Sequence, residues 1–260
     1  MVKIVMAIII TSMPNWPSVR YQGYIYPDME TCVEEKVPII ITSLRPPQEI
    51  VEAAHSYGGL VYHDVINMRH ARKAAEDGVD GLILVAAGAG GHAGTLSPFA
   101  IVREVKKWFD GTILLSGAIG DGFCVASALA MGADLAYIGS RFIATKEANA
   151  EEEYKQMLVD SAADDIVYSS LFTGVHGNYL KPSVSKAGFD PDNLPEADKT
   201  TMNFGSGGNT DAKAWKDIWG CGQGIGGIDS VETIGEVVDS LEAEYKEAIA
   251  ELQNKETMLG

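Results

Sequence analysis

The chain has 260 residues, 46% of them hydrophobic, and sets 20 Lys and Arg against 36 Asp and Glu for a formal charge of −16 at pH 7. A chain of this size buries one sizeable core, and its acidic balance offers no basic face for phosphates, which excludes a nucleic-acid partner. Three widely spaced cysteines, Cys32, Cys124 and Cys221, fit neither a disulfide framework nor a zinc site, so no metal is expected and a reducing cytoplasm is the expected location.

The first element is the apolar run Ile4–Ile10, which reads as a buried strand. It is too short to cross a bilayer, and it runs into Thr11-Ser12-Met13-Pro14 without a small-residue cleavage pattern, so no membrane association is expected. Further strand-like runs follow at Pro38–Thr42, Leu60–Val65, Leu82–Ala87, Thr112–Ser116 and Leu135–Ile138. Helical stretches separate them. Gln48–Tyr57 follows Arg45-Pro46-Pro47 and stops at Gly58-Gly59; Asn67 caps Met68–Glu76, which stops at Gly78. Ser97-Pro98 opens Phe99–Phe109, and Asp121 opens Gly122–Met131, which stops at Gly132.

Strands alternating with helices of this length imply an α/β fold with a parallel sheet and right-handed crossovers. A (β/α)8 barrel of the TIM type is the leading architecture and an open doubly wound sheet the rival. Only six of the eight βα units of a barrel are recognisable. Residues 1–145 are therefore read as an incomplete barrel, and 146–260 as C-terminal helices and a glycine-rich lid packed on it. Lys146–Ser161 reads as a helix with acidic first turns, and Thr233–Leu252 as a closing amphipathic helix. Between them, residues 168–230 are rich in Gly, Pro, Asn and Asp; the embedded Phe172, Tyr179, Phe204, Trp215 and Trp219 favour an ordered lid over a linker.

Two motifs are the candidates for chemistry, the alternatives being a glycine-rich turn whose His caps the next helix and ordinary glycines of βα loops. Gly88-Ala89-Gly90-Gly91-His92-Ala93-Gly94 follows the fourth strand and leaves one imidazole at the strand's C-terminal mouth, where ligands bind in α/β folds. Ser116-Gly117-Ala118-Ile119-Gly120-Asp121-Gly122 and Tyr137-Ile138-Gly139-Ser140-Arg141-Phe142 end the next two strands in tight turns. Consecutive backbone N–H groups at such turns bind phosphate without a basic side chain.

In order and spacing these stretches, together with Ala128-Leu129-Ala130-Met131-Gly132-Ala133-Asp134, resemble the nitronate monooxygenase family. The resemblance runs from about residue 30 to 145, and Leu171–Tyr179 and Ala214–Trp219 resemble a subgroup. It implies an FMN-dependent barrel that oxidises alkyl nitronates or nitroalkanes with O2 to a carbonyl compound and nitrite. His92 then matches the catalytic histidine, Gly90 (with Gly91) a flavin contact, and Gly117-Ala118 and Gly139-Ser140 the FMN phosphate cradle, with Tyr137-Ile138 leading into its second half. A neutral imidazole suits abstraction of the acidic α-proton.

Two departures stand out. A polar residue that the family often carries five positions before Gly90 is Val85 here, and the family's first βαβα portion has no counterpart, as a truncated chain or a miscalled start would give. Rival readings are an FMN-dependent NAD(P)H reductase of the enoyl-ACP reductase type, and a fragment without activity that recruits strands from another copy as a homodimer. His63 and Asp64 end the third strand and so point toward the same mouth, a hydrogen-bonded structural role being preferred for His63. His55 and His70 are read as solvent-facing and His176 as a lid residue. Gly220–Gly227 lacks the preceding strand of a dinucleotide loop and reads as a loop closing over the flavin.

Overall fold

The computed structural model describes residues 8–11, 27–196 and 217–259. Its main sheet holds β1 (Ile8–Thr11), β2 (Ile39–Ser43), β3 (Leu60–Val65), β4 (Gly81–Val85), β6 (Thr112–Ser116) and β7 (Leu135–Tyr137), in that spatial order, while the short β5 (Gly91–His92) belongs to a second sheet. Every pairing is parallel, with Thr42 opposite His63, Val65 opposite Leu84, Val85 opposite Ser116 and Ser116 opposite Tyr137. The crossovers are α1 (Pro27–Glu34), α2 (Gln48–His55), α3 (Met68–Glu76), α4 (Pro98–Val105) and α5 (Gly122–Met131). The strands and helices expected on the N-terminal side are thus present within a few residues, with α1 added. The start signals act as expected at two helices: the Asn67 side chain accepts from His70 N–H at 2.8 Å and Asp121 from Cys124 N–H at 2.7 Å.

Alternation along the strands sorts the sheet into two faces. Ile40, Val61, Val65, Leu82, Leu84, Ile113 and Leu115 pack against the helices in the largest core. Ile41, Tyr62, Ile83, Val85 and Leu114 form the inner face with Tyr137 beside them. β4 is buried at all five positions, which is why it reads as an unbroken apolar run.

Beyond β7 come α6 (Ser140–Ile143), α7 (Glu152–Val159), β8 (Ile166–Ser169), β9 (Gly177–Leu180), α8 (Lys181–Lys186) and α9 (Ile234–Leu259). The helix expected over Lys146–Ser161 begins only at Glu152, because Thr145 bridges to Glu232 and Lys146 N–H donates to the Glu232 carbonyl at 2.8 Å. The segment around 168–230 is ordered where described. Phe172, Tyr179 and Ile218 share one small core, and Trp219 another with Leu158 and Leu180. Phe204 and Trp215 lie outside the described residues, as do Trp16 and most of the expected first strand. No helix among the described residues is long and apolar enough to cross a membrane.

α9 lies across α5, and Gly122 makes the close approach possible. A Cβ there would collide with the backbone N of Tyr245 and O of Leu241, while the Glu244 carboxylate accepts from Gly122 N–H at 2.8 Å. Gly122→Ala is therefore expected to destabilise the chain by about 1–3 kcal/mol through overpacking. Gly235→Ala, whose Cβ would meet nothing closer than 3.9 Å, is expected to stabilise it by about 0.5–1 kcal/mol through helix propensity. Urea unfolding of the two variants beside the parent checks both signs.

Candidate active site

After β4 the chain turns at Ala86–Gly90 and leaves the sheet. Gly91–His92 forms the short strand β5, which pairs antiparallel with β9, Gly91 opposite Asn178 and His92 opposite Gly177. Three further bonds hold the turn: Asn178 Nδ2 donates to the Ala89 carbonyl at 2.7 Å, Ala93 N–H to the His176 carbonyl at 3.3 Å, and Tyr168 O–H to the Ala93 carbonyl at 2.9 Å. Each side of His92 is thus tied to the β8–β9 hairpin.

The imidazole is fixed by Thr173, whose Oγ1 lies 2.9 Å from His92 Nε2. A hydroxyl has one proton to give, and Thr173 gives it to the Val175 carbonyl at 3.0 Å. It must accept from His92, so Nε2 carries the proton and Nδ1 holds the lone pair. Val175 N–H donates to the same oxygen at 3.4 Å, filling the remaining acceptor position. Burial lowers the His92 pKa below the ordinary imidazole value, which keeps the ring neutral and basic at pH 7.

The two glycine turns lie side by side because Ser116 and Tyr137, the residues before them, are register partners. No described carbonyl accepts from the backbone N–H of Gly117, Ala118, Gly139 or Ser140. A Cβ at Gly139 would meet open space. These donors can hold an anionic group such as a phosphate monoester. Arg141, next in sequence, is turned away into an ion pair with Glu232.

Cys221–Ile225 seals this corner. Gly222 N–H donates to Ser140 Oγ at 2.8 Å and Gln223 N–H to the Gly88 carbonyl at 2.9 Å. A Cβ on Gly90 would lie 2.7 Å from Gly222 N, and one on Gly120 would strike the Gly224 carbonyl. The contact between the two glycine-rich backbones accounts for Gly90 and Gly120 whether or not a cofactor touches them.

His63 and Asp64 do not share a mouth. Adjacent strand residues face opposite ways, so His63 turns to the helix side, where its Nδ1 lies 2.7 Å from Thr42 Oγ1 and burial lowers its pKa to about 4. It is a neutral structural residue. Asp64 faces inward with Tyr62. Ser43 hydrogen-bonds its carboxyl, burial raises its pKa to about 6, and Oδ1 is sealed from solvent without a partner among the described residues. His55 pairs with Asp80 at 2.8 Å on the surface, His70 is exposed, and exposed His176 stacks on Tyr168 at 5.0 Å.

Thr173, Asn178 and Tyr168 were not singled out from the sequence. Their signal was the strand-like Ile166–Ser169 followed by Gly174 and Gly177, a hairpin pattern with a five-residue or longer loop.

A family model described as nitronate monooxygenase matches residues 5–244. The chain belongs to the nitronate monooxygenase family. Its curated relatives include the nitronate monooxygenase of Paraburkholderia phytofirmans, 28% identical over 237 residues that cover 85% of this chain and 64% of that protein. The chain spans less than two thirds of the length of such relatives (65%, 64% and 59% for three of them). Among solved structures, FabK from Thermotoga maritima aligns with TM-score 0.72 at 22% identity over 96% of this chain and 78% of that one. A nitroalkane oxidase from Streptomyces ansochromogenes aligns with TM-score 0.67 at 22% identity over 86% and 68%. These likenesses establish the fold as the (β/α)8-barrel type, represented among the described residues by six parallel strands.

Asp64 generates a pH test of stability. An acid whose folded pKa, about 6, lies above its unfolded value of about 4 favours the fold only while protonated. Its contribution is complete below about pH 4 and is lost as pH rises through about 6. Asp64→Asn is expected to raise the stability of the cofactor-free chain by on the order of 2 kcal/mol at pH 8 and by little at pH 4. Thermal unfolding at the two pH values reads it.

Proposed function

We propose that this nitronate monooxygenase family member is an FMN-dependent oxidoreductase that oxidises nitroalkanes or their nitronates with O2, His92 acting as the general base. The observation that carries the reading is the neutral His92 ring, oriented through Nε2 by Thr173, in a chain whose two glycine turns leave their backbone donors without a carbonyl among the described residues.

The chain's residues divide the work. The N–H groups of Gly117, Ala118, Gly139 and Ser140 would hold the FMN phosphate, with Tyr137 and Ile138 leading into that cradle, and Gly90 and Gly91 would contact the flavin. Bound FMN supplies the electron-accepting chemistry, and O2 is the terminal oxidant. His92 Nδ1 takes the α-proton of a neutral nitroalkane, leaving the negative charge on the nitro oxygens. The resulting imidazolium keeps its Nε2–H directed at Thr173 Oγ1, so the ring need not turn during transfer. The Cys221–Ile225 segment keeps water from the phosphate side of the site.

Because burial lowers the His92 pKa, protonation switches the base off only at acidic pH. With a neutral nitroalkane, kcat/KM is expected to fall along an acid limb centred below pH 6.5, the ordinary imidazole value. His92→Asn is expected to cost about 10²- to 10⁴-fold in kcat/KM with the nitroalkane and far less with the preformed nitronate, which needs no deprotonation. Thr173→Val, which removes the acceptor that orients the ring, is expected to cost about tenfold. Parent-like turnover of the nitroalkane by His92→Asn would overturn the base assignment. Rapid flavin reduction by NADH or NADPH without nitronate would favour the reductase reading, and purified protein that neither carries nor takes up FMN would favour the inactive fragment.

A further inference from the structure

Every described side chain on the inner face of the sheet is uncharged except one. Ile41, Tyr62, Ile83, Val85 and Leu114 make that face apolar, and Asp64 stands among them on β3. Its Oδ1 is cut off from solvent and meets no donor among the described residues, while Ser43 from β2 bonds the same carboxyl. Burying a carboxyl oxygen with nothing to bond costs free energy, so such a group in an otherwise apolar wall points to a donor that arrives with a ligand.

The position narrows the donor. Tyr137 on β7 is the residue immediately before the Ile138–Ser140 turn, and it lies near enough to Asp64 for the carboxylate charge to help raise its phenol pKa. A ligand whose phosphate sits on the Gly117-Ala118 and Gly139-Ser140 donors therefore runs over Tyr137 toward Asp64. The ionised carboxylate can only accept. An oxidised isoalloxazine ring has a single N–H, the imide at N3, flanked by two carbonyls that offer nothing to an acceptor.

We propose that Asp64 is the residue that receives the flavin imide N3–H, anchoring the pyrimidine end of the cofactor through the oxygen that has no partner in the described structure. The inference rests on the FMN reading above. It assigns the polar contact to the strand beside β4, whose own inward residue near the mouth is Val85. Ser43 then holds the carboxyl in place, and Tyr137 spaces it from the phosphate turns.

The test compares binding of FMN and of 3-methyl-FMN, in which the imide proton is replaced by a methyl group, to the cofactor-free chain by quenching of flavin fluorescence. The parent is expected to prefer FMN by about 10- to 100-fold, the range for a hydrogen bond to a charged group. Asp64→Ala, with neither acceptor nor bulk at that position, is expected to bind FMN more weakly and to hold the two flavins within about threefold of each other. Asp64→Asn, which keeps the shape and one acceptor oxygen, is expected to retain part of the preference and guards against loss of folding in the alanine variant. Parent-like discrimination by Asp64→Ala, or equal binding of both flavins by the parent, overturns the role of Asp64 while leaving the FMN reading intact. A parent chain that binds neither flavin overturns both.

Discussion

The antiparallel pairing of Gly91–His92 with Gly177–Asn178 is the contact on which the site depends. Without it the turn after β4 is a glycine-rich loop with few side chains to hold it, and an imidazole on such a loop has no fixed direction. The pairing brings Thr173, Asn178 and Tyr168 to the turn together, because all three lie in or beside one hairpin. A single backbone ladder thus settles the position, orientation and tautomer of His92. The hairpin is in turn fastened to the rest of the C-terminal layer: Leu180 N–H donates to the Trp219 carbonyl at 2.8 Å, and Trp219 N–H to Ser183 Oγ at 3.0 Å.

The sheet handles its polar interior groups in two ways. His63, on the helix side, has a neighbour of its own in Thr42 and stays neutral, so its burial needs no counter-charge. Asp64, one residue later and on the other face, has Ser43 on its carboxyl and an Oδ1 without a partner among the described residues. The contrast separates a polar residue satisfied within the protein from one whose surroundings are incomplete. It arises from the two-residue period of a strand, which sends neighbours into different chemical environments.

Much of the N-terminal architecture was legible in the sequence because local signals and tertiary burial agree there. Leu60–Val65, Met68–Glu76, Thr112–Ser116 and Gly122–Met131 have the bounds expected of them. Each strand carries an apolar run, and Asn67 and Asp121 cap helices that end at glycines. The candidate base and the paired turns were legible as motifs, since glycine spacing after a strand is a local property. What could not be read was created at long range. β5 is two residues long and exists only through its distant partner, Thr173 meets His92 across 81 positions, and Cys221–Ile225 finds its place through contacts with Gly88–Gly90 and Gly120. α9 continues to Leu259 because nothing before Gly260 interrupts it, although its later residues are too polar to show an apolar stripe.

The β5–β9 ladder also bears on the order in which the molecule is made. The sheet from β1 to β7 is assembled by neighbours in sequence, and synthesis delivers it first. The hairpin that organises His92 emerges later, and the Cys221–Ile225 segment that packs on the glycine turns later still. Contacts of such wide sequence separation form slowly. The ladder that aligns His92 has a much wider sequence separation than the pairings of the main sheet. The alignment of His92 thus depends on docking of the C-terminal layer, and the same docking covers the two glycine turns.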